Sequence, residues 1–195
     1  DALVGIENVR GSANNDKLIG SDVGNALYGQ EGADVLIGAG GNDTVDAGGG
    51  DDVLIGGAGA DTLTGGTGAD LFVLTQGTQN DTLTDFVRGQ DRIEVSAFAA
   101  SIPDWTSLRT HITYAAGEAR IDLDGGHLVT LKAIPGDVLS ESNFAGIGAG
   151  GERWSGTYAD DLHTGTPFND VLDGLGGNDT LDGADGNDVL SGDAG

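Results

Sequence analysis

Gly56-Gly57-Ala58-Gly59-Ala60-Asp61-Thr62-Leu63-Thr64, followed at once by Gly65-Gly66-Thr67-Gly68-Ala69-Asp70-Leu71-Phe72-Val73, decides how this chain is read. The two nonapeptides place glycine, aspartate and an apolar residue in the same slots. Stepping outward in nines, the aspartate slot holds Asp16, Asn25, Asp34, Asp43, Asp52, Asp61 and Asp70. Two residues after each stands Leu18, Leu27, Leu36, Val45, Leu54, Leu63 or Phe72, and two residues before most of them stands Gly32, Gly41, Gly50, Gly59 or Gly68. Gly29, Gly38, Gly56 and Gly65 open further copies. The pattern returns at Asp161, Asp170, Asp179 and Asp188, with Leu172, Leu181 and Leu190 in the apolar slot and Gly165, Gly174, Gly183 and Gly192 opening copies. A flexible acidic linker would share this composition. It would not hold three slots in phase, and a fixed period of this kind marks a repeat architecture.

Each slot has a physical reading. Three residues around the apolar position form a short strand that turns one side chain inward. The glycine-rich half turns sharply, using the positive φ that glycine permits. Aspartate and the surrounding carbonyls offer hard oxygens, of which calcium takes six to eight at ~2.3–2.6 Å. Two nonapeptides make one coil of 18 residues. Leu18, Leu36, Leu54 and Phe72 then fall in one sheet and Leu27, Val45 and Leu63 in the facing one. Asp34, Asp52 and Asp70 line one edge, and Asp43 and Asp61 the other.

This pattern resembles the RTX family, whose nonapeptide is G-G-x-G-x-D-x-U-x with U apolar. The resemblance implies an all-β fold, a parallel β-roll with rows of calcium ions along both edges, held by the consensus aspartates and by carbonyls of the glycine turns. Carried onto this sequence, the metal ligands are Asp34, Asp43, Asp52, Asp61 and Asp70, with turn residues Gly32, Gly38, Gly40, Gly41, Gly48, Gly50, Gly56, Gly57, Gly59, Gly65, Gly66 and Gly68. In the second array they are Asp161, Asp170, Asp179 and Asp188, with Gly174, Gly177, Gly183 and Gly186. The departures mark caps. Asn25 replaces an aspartate, Asn14 and Val23 replace a glycine, and Ala159, Phe168 and His163 break the second array's pattern.

Between the arrays the register is lost. The expected organisation is a first roll over 1–73, a β domain over 74–145, a linker over 146–155 and a second, shorter roll over 156–195. Strands are expected at Leu71–Leu74, Thr82–Phe86, Arg92–Val95, His111–Tyr114, Arg120–Leu123 and Leu128–Leu131, with a hairpin turn at Asp124-Gly125-Gly126. Asp104 is expected to cap a short helix through Leu108, and Asp137–Phe144 to form another. The phrase from Asn80 to Phe86, with Gly89-Gln90-Asp91-Arg92-Ile93, is similar to the C-terminal domain of serralysin-type secreted metalloproteases. That resemblance implies an antiparallel sandwich-like segment continuing from the roll, and a further calcium at Asp81 and Asp91. The array that follows is unlike a serralysin C-terminus, so the module is expected to be internal to a longer protein.

The charge agrees with a cation binder. The chain of 195 residues has 32 acidic and 8 basic residues, a net charge of −24, so it repels nucleic acid and anionic lipid. It has 37 glycines and no cysteine, which excludes disulfides and thiolate metal sites. No apolar run is long enough to span a membrane.

The same residues make metal control of folding an expectation. Each glycine costs on the order of 0.5–1 kcal/mol relative to alanine. Each inward aliphatic contributes roughly 1.5–3 kcal/mol. Carboxylates stacked about 5 Å apart repel by about 1 kcal/mol per pair in water, and more where water is excluded.

Catalytic signatures are missing. His111, His127 and His163 do not form H-E-x-x-H, no G-x-S-x-G elbow occurs and no phosphate-cradling loop carries a lysine. Asp122 and Asp124 read as solvated, and Trp105 and Trp154 as packing residues. The expectation is a non-enzymatic, calcium-dependent folding module of a secreted bacterial protein of the type exported in one step, working outside the cell or at its surface. Two alternatives remain: an accessory module of a secreted protease, lipase or alginate epimerase, touching polysaccharide, and a stiffening segment of an adhesin or surface-layer protein.

Overall fold

The computed structural model describes residues 7–76, 80–98, 100–123, 126–132, 134, 139–146, 153–157, 159–164, 171–182 and 189–192. It divides into two compact units, one of residues 1–102 and 108–146, the other of 103–107 and 147–195.

In the first unit the nonapeptides form β1 (Asn8–Arg10), β2 (Lys17–Ile19), β3 (Ala26–Glu31), β4 (Val35–Gly40), β5 (Thr44–Gly49), β6 (Val53–Ala58), β7 (Thr62–Thr67) and β8 (Leu71–Val73). Strands alternate between two parallel sheets, so each pairs with the strand 18 residues on. Leu18, Leu36, Leu54 and Phe72 stand in register in one sheet, and Val9, Leu27, Val45 and Leu63 in the other. Every one of these except Val9 is buried. The two columns are the core, and they are those the 18-residue period predicts. Period-2 alternation puts each coil's apolar residue on the inner face and leaves its neighbours outward.

The strands after Val73 extend the same two sheets. They are β9 (Asn80–Leu83), β10 (Arg92–Glu94), β11 (Ile112–Ala115), β12 (Glu118–Leu123), β13 (His127–Leu131) and β14 (Phe144–Ala145). One sheet has the order β1-β3-β5-β7-β9-β13-β12-β11, the other β14-β10-β8-β6-β4-β2. Leu83 and Leu131 prolong one inner column, Ile93 and Phe144 the other. Among the described residues, antiparallel pairing is confined to β11, β12 and β13. The expected strand through Phe86 ends at Leu83 instead. Phe86 is still buried, its ring centroid 6.1 Å from that of Phe72.

Asp104 caps the helical turn Trp105–Leu108 as expected, its Oδ1 accepting the Ser107 N–H at 2.7 Å. The second expected helix shrinks to a 3-10 turn, Glu141–Asn143, because Phe144 joins a sheet. Its start at Asp137 lies outside the described residues, as do Asp124 and Gly125 of the hairpin turn.

The second unit contains β15 (Arg153–Ser155), β16 (Leu162–Thr164), β17 (Val171–Asp173), β18 (Thr180–Asp182) and β19 (Val189–Ser191). β15-β17-β19 make one parallel sheet and β16-β18 another, again with an offset of 18. The stretch expected as linker, 146–155, thus ends in a paired strand. Among the described residues no helix is long and apolar enough to cross a membrane.

Candidate metal centre

The aspartates form two ladders of hydrogen bonds along the edges of the first unit. On one edge Asp16 N–H donates to Asp34 Oδ1, Asp34 N–H to Asp52 Oδ1, Asp52 N–H to Asp70 Oδ1 and Asp70 N–H to Asp91 Oδ1, at 2.7–3.1 Å. On the other, Asn25, Asp43 and Asp61 donate in turn to Asp43, Asp61 and Asp81 Oδ1, at 2.7–2.9 Å. Asp161 N–H and Asp179 Oδ1 repeat the rung in the second unit at 3.0 Å. Each carboxylate is pinned through one oxygen, leaving the other to be aimed by the turn.

That second oxygen separates two kinds of turn. Oδ2 of Asp34, Asp43, Asp52, Asp61, Asp70 and Asp179 is buried and has no hydrogen-bond partner. A buried carboxylate oxygen without a partner is costly, and a cation relieves that cost. In all six turns the residue four before the aspartate has positive φ, from 64° to 104°: Gln30, Ala39, Gly48, Gly57, Gly66 and Leu175. In other turns that residue caps the acid. Ser12 N–H donates to Asp16 Oδ2 at 2.6 Å, Ser21 N–H to Asn25 Oδ1 at 2.7 Å, Val87 N–H to Asp91 Oδ2 at 2.7 Å and Thr157 N–H to Asp161 Oδ2 at 2.7 Å. The hydroxyls of Ser12, Ser21 and Thr157 add a second contact. None of these four has positive φ.

Glycine five before the aspartate keeps a cradle open beside the free oxygen. A Cβ on Gly38 would lie 2.2 Å from Asp43 Oδ2 and 2.4 Å from the Gly56 carbonyl oxygen, one coil on. A Cβ on Gly29 would lie 2.3 Å from Asp34 Oδ2 and 2.4 Å from Ala47 O. Gly56, Gly65 and Gly174 face Asp61, Asp70 and Asp179 in the same way, each at 2.3 Å. Carboxylate and carbonyl oxygens of adjacent coils therefore converge on space only glycine leaves empty. The turn of Asp52 differs, because Ala47 supplies a methyl in that slot.

Among the described residues no three His, Cys, Asp or Glu side chains gather at one point. An ion here is held by one or two carboxylates with backbone carbonyls, an all-oxygen set suited to a hard cation such as calcium. Burial raises the carboxyls of Asp61 and Asp70 to about 6. A backbone donor lowers each, and the neighbouring carboxylates of its own edge add to the rise. Asp43 and Asp52 are also raised by burial.

The family's repeat, described as the RTX calcium-binding nonapeptide repeat, matches residues 19–54, 38–72, 46–83 and 164–195. This chain is an RTX β-roll. Its repeats are calcium-binding motifs. No curated protein matches it significantly. Among solved structures it is similar to the extracellular lipase LipA from Serratia marcescens, at 20% identity over 71% of this chain and 20% of the lipase, with a TM-score of 0.37. The AlgE6R3 subunit of the Azotobacter vinelandii mannuronan C5-epimerase is 29% identical over 75% of this chain and 86% of that one, TM-score 0.30. The AlgE6R2 subunit is 29% identical over 70% and 90%, TM-score 0.36. The RTX roll spans a fifth of the lipase, and its family assignment rests on the repeats.

The expected ligands sort as follows. Asp34, Asp43, Asp52, Asp61, Asp70 and Asp179 have the open oxygen. Gly38, Gly56, Gly65 and Gly174 line cradles, while Gly32, Gly41, Gly48, Gly50, Gly57, Gly59, Gly66, Gly68 and Gly177 have the positive φ of the turns. Gly40 does neither. Asp161 is capped by Thr157. Asp81 and Asp91 are not brought together: they prolong opposite ladders, and Asp81 Oδ2 bonds His127 as Asp91 Oδ2 bonds Val87. Asp170, Gly183, Gly186 and Asp188 lie outside the described residues. Gly29 was missed, although it stands in the first glycine slot. The cap residues Ser12, Ser21 and Thr157 were missed too, although a hydroxyl residue in the second glycine slot is visible in the sequence.

Proposed function

We propose that this chain is a calcium-dependent folding module of a larger secreted bacterial protein. The six buried aspartate oxygens without partners carry the reading. A metal-free roll must bury these carboxylates uncompensated and stack them coil upon coil. Each calcium site filled at ~100 times its dissociation constant adds about 2.7 kcal/mol to the folded state. Several such sites outweigh the entropy of a chain with 37 glycines. Extracellular calcium modules work near 10⁻⁴–10⁻³ M, so a chain of this kind stays open inside the cell and closes outside it.

The module is read as non-catalytic. Among the described residues, the buried charged side chains are the ladder aspartates and His127, which bonds one of them. Circular dichroism during a calcium titration tests the proposal. β signal should grow with calcium and vanish with chelator. A spectrum indifferent to both overturns it.

A further inference from the structure

His127 is the one buried basic side chain among the described residues, with no exposure at all. It opens β13, which pairs in parallel with β9 and takes the place where the next coil of that sheet would stack. Its Nε2 lies 2.8 Å from Asp81 Oδ2 and its Nδ1 3.1 Å from the Thr75 carbonyl oxygen. The Thr75 carbonyl accepts the Nδ1–H, and Nε2 and Asp81 Oδ2 share one proton between them. Phe98, itself buried, packs against it at 5.6 Å between centroids.

Asp81 is a rung like the others. Its Oδ1 accepts the Asp61 N–H just as Asp61 Oδ1 accepts the Asp43 N–H. Only its Oδ2 differs, being bonded where those of Asp43 and Asp61 are free. In those turns the free oxygen faces a glycine turn at the end of a strand in the opposite sheet. Thr75 lies in the corresponding turn after β8, its hydroxyl donating to the Gly57 carbonyl. The ring thus bridges one carboxylate oxygen and one backbone carbonyl, the donor types offered to metal one coil earlier.

We propose that the His127 side chain occupies the place of a calcium at Asp81 and ends the metal row of that edge. The ring satisfies the last carboxylate without an ion and fills the space a further glycine turn would leave open. This hydrogen-bonded pair takes the place of the calcium that the resemblance implies at Asp81.

The proposal rests on the calcium reading of the other turns, and counting ions separates the two. Native mass spectrometry at saturating calcium gives the number bound by the full chain, by His127→Ala, by Asp81→Asn and by the double variant. His127→Ala should bind one ion more than the parent, and the double variant should lose that gain. Asp81→Asn, which keeps the Oδ1 acceptor, should bind the same number as the parent. Loss of one ion in Asp81→Asn, or an unchanged count in folded His127→Ala, overturns the proposal. Should His127→Ala not fold, the Asp81→Asn count decides alone. A parent that binds no calcium overturns the underlying reading and the proposal with it.

Discussion

The two arrays share a repeat and differ in what the repeat builds. In the first, every coil has a neighbour within two sheets of eight and six strands, and Leu27, Leu36, Val45, Leu54 and Phe72 have no exposure. In the second, the sheets have three and two strands among the described residues. Leu172 is fully buried there, while Leu190, its partner in the same inward slot, is 44% exposed. Yet Asp179 has the same pinned Oδ1, free Oδ2 and glycine cradle as Asp43. The nonapeptide therefore specifies the metal turn locally, whereas the core is a property of stacking. A repeat cannot bury its apolar face alone and depends on its neighbours for stability.

The largest expected effect is metal removal. Chelator should abolish amide protection in both arrays, and on readdition the first array should regain it at lower free calcium than the second. Hydrogen exchange read by segment checks this, and simultaneous recovery would break the contrast. Next comes the core. Leu54→Ala should cost 2–5 kcal/mol in calcium-saturated urea unfolding. Leu190→Ala, half-exposed in the second array, should cost less than about 1 kcal/mol.

Smaller effects sort open from capped turns. Asp61→Asn should lower the count of bound calcium by one. Asp161→Asn should leave it unchanged, because Thr157 already occupies that carboxylate. Acidity tests the same oxygens without metal. Asp61 and Asp70 hold their protons up to about 6 in the fold, against 3.8 for a free carboxyl. Their folded state therefore binds more protons, so this stability is fully present below about pH 3.8 and is lost as pH rises through about 6. In chelator, the β signal of the chain should be larger at pH 4 than at pH 7. The smallest effect belongs to Ala47→Gly, which removes a methyl from the Asp52 cradle. It should strengthen one calcium site modestly and leave the others as they were, measurable by calorimetry.

Much of this was legible in the sequence. The period of nine named the inward columns and both aspartate edges, because each coil copies its predecessor. The difference between an open and a capped turn was legible only in part. Ser12, Ser21 and Thr157 mark caps by their hydroxyls, but Val87 caps Asp91 with its backbone, which any residue could do. Gln30, Ala39 and Leu175 adopt positive φ without being glycine, so a glycine in that slot is not needed to mark an open turn. His127 was beyond a local reading. It lies 46 residues from Asp81, and only the pairing of β13 with β9 joins them.

A quieter ladder runs outside the aspartates. Asn15, Asn42 and Asp51 each accept, through side-chain Oδ1, the N–H of the residue 18 further on: Ala33, Ala60 and Ala69. Asp160 does the same for Asn178. Every such bond, like every aspartate rung of the first array before Asp81, counts in whole coils. Losing 18 residues from the middle of the roll would rejoin each ladder to itself, with the edge that ends at His127 unchanged. Losing nine would splice each edge upstream of the cut onto the opposite edge downstream of it. Length in this molecule is consequently a matter of parity: the roll can grow or shrink by pairs of nonapeptides and keep each edge continuous with itself.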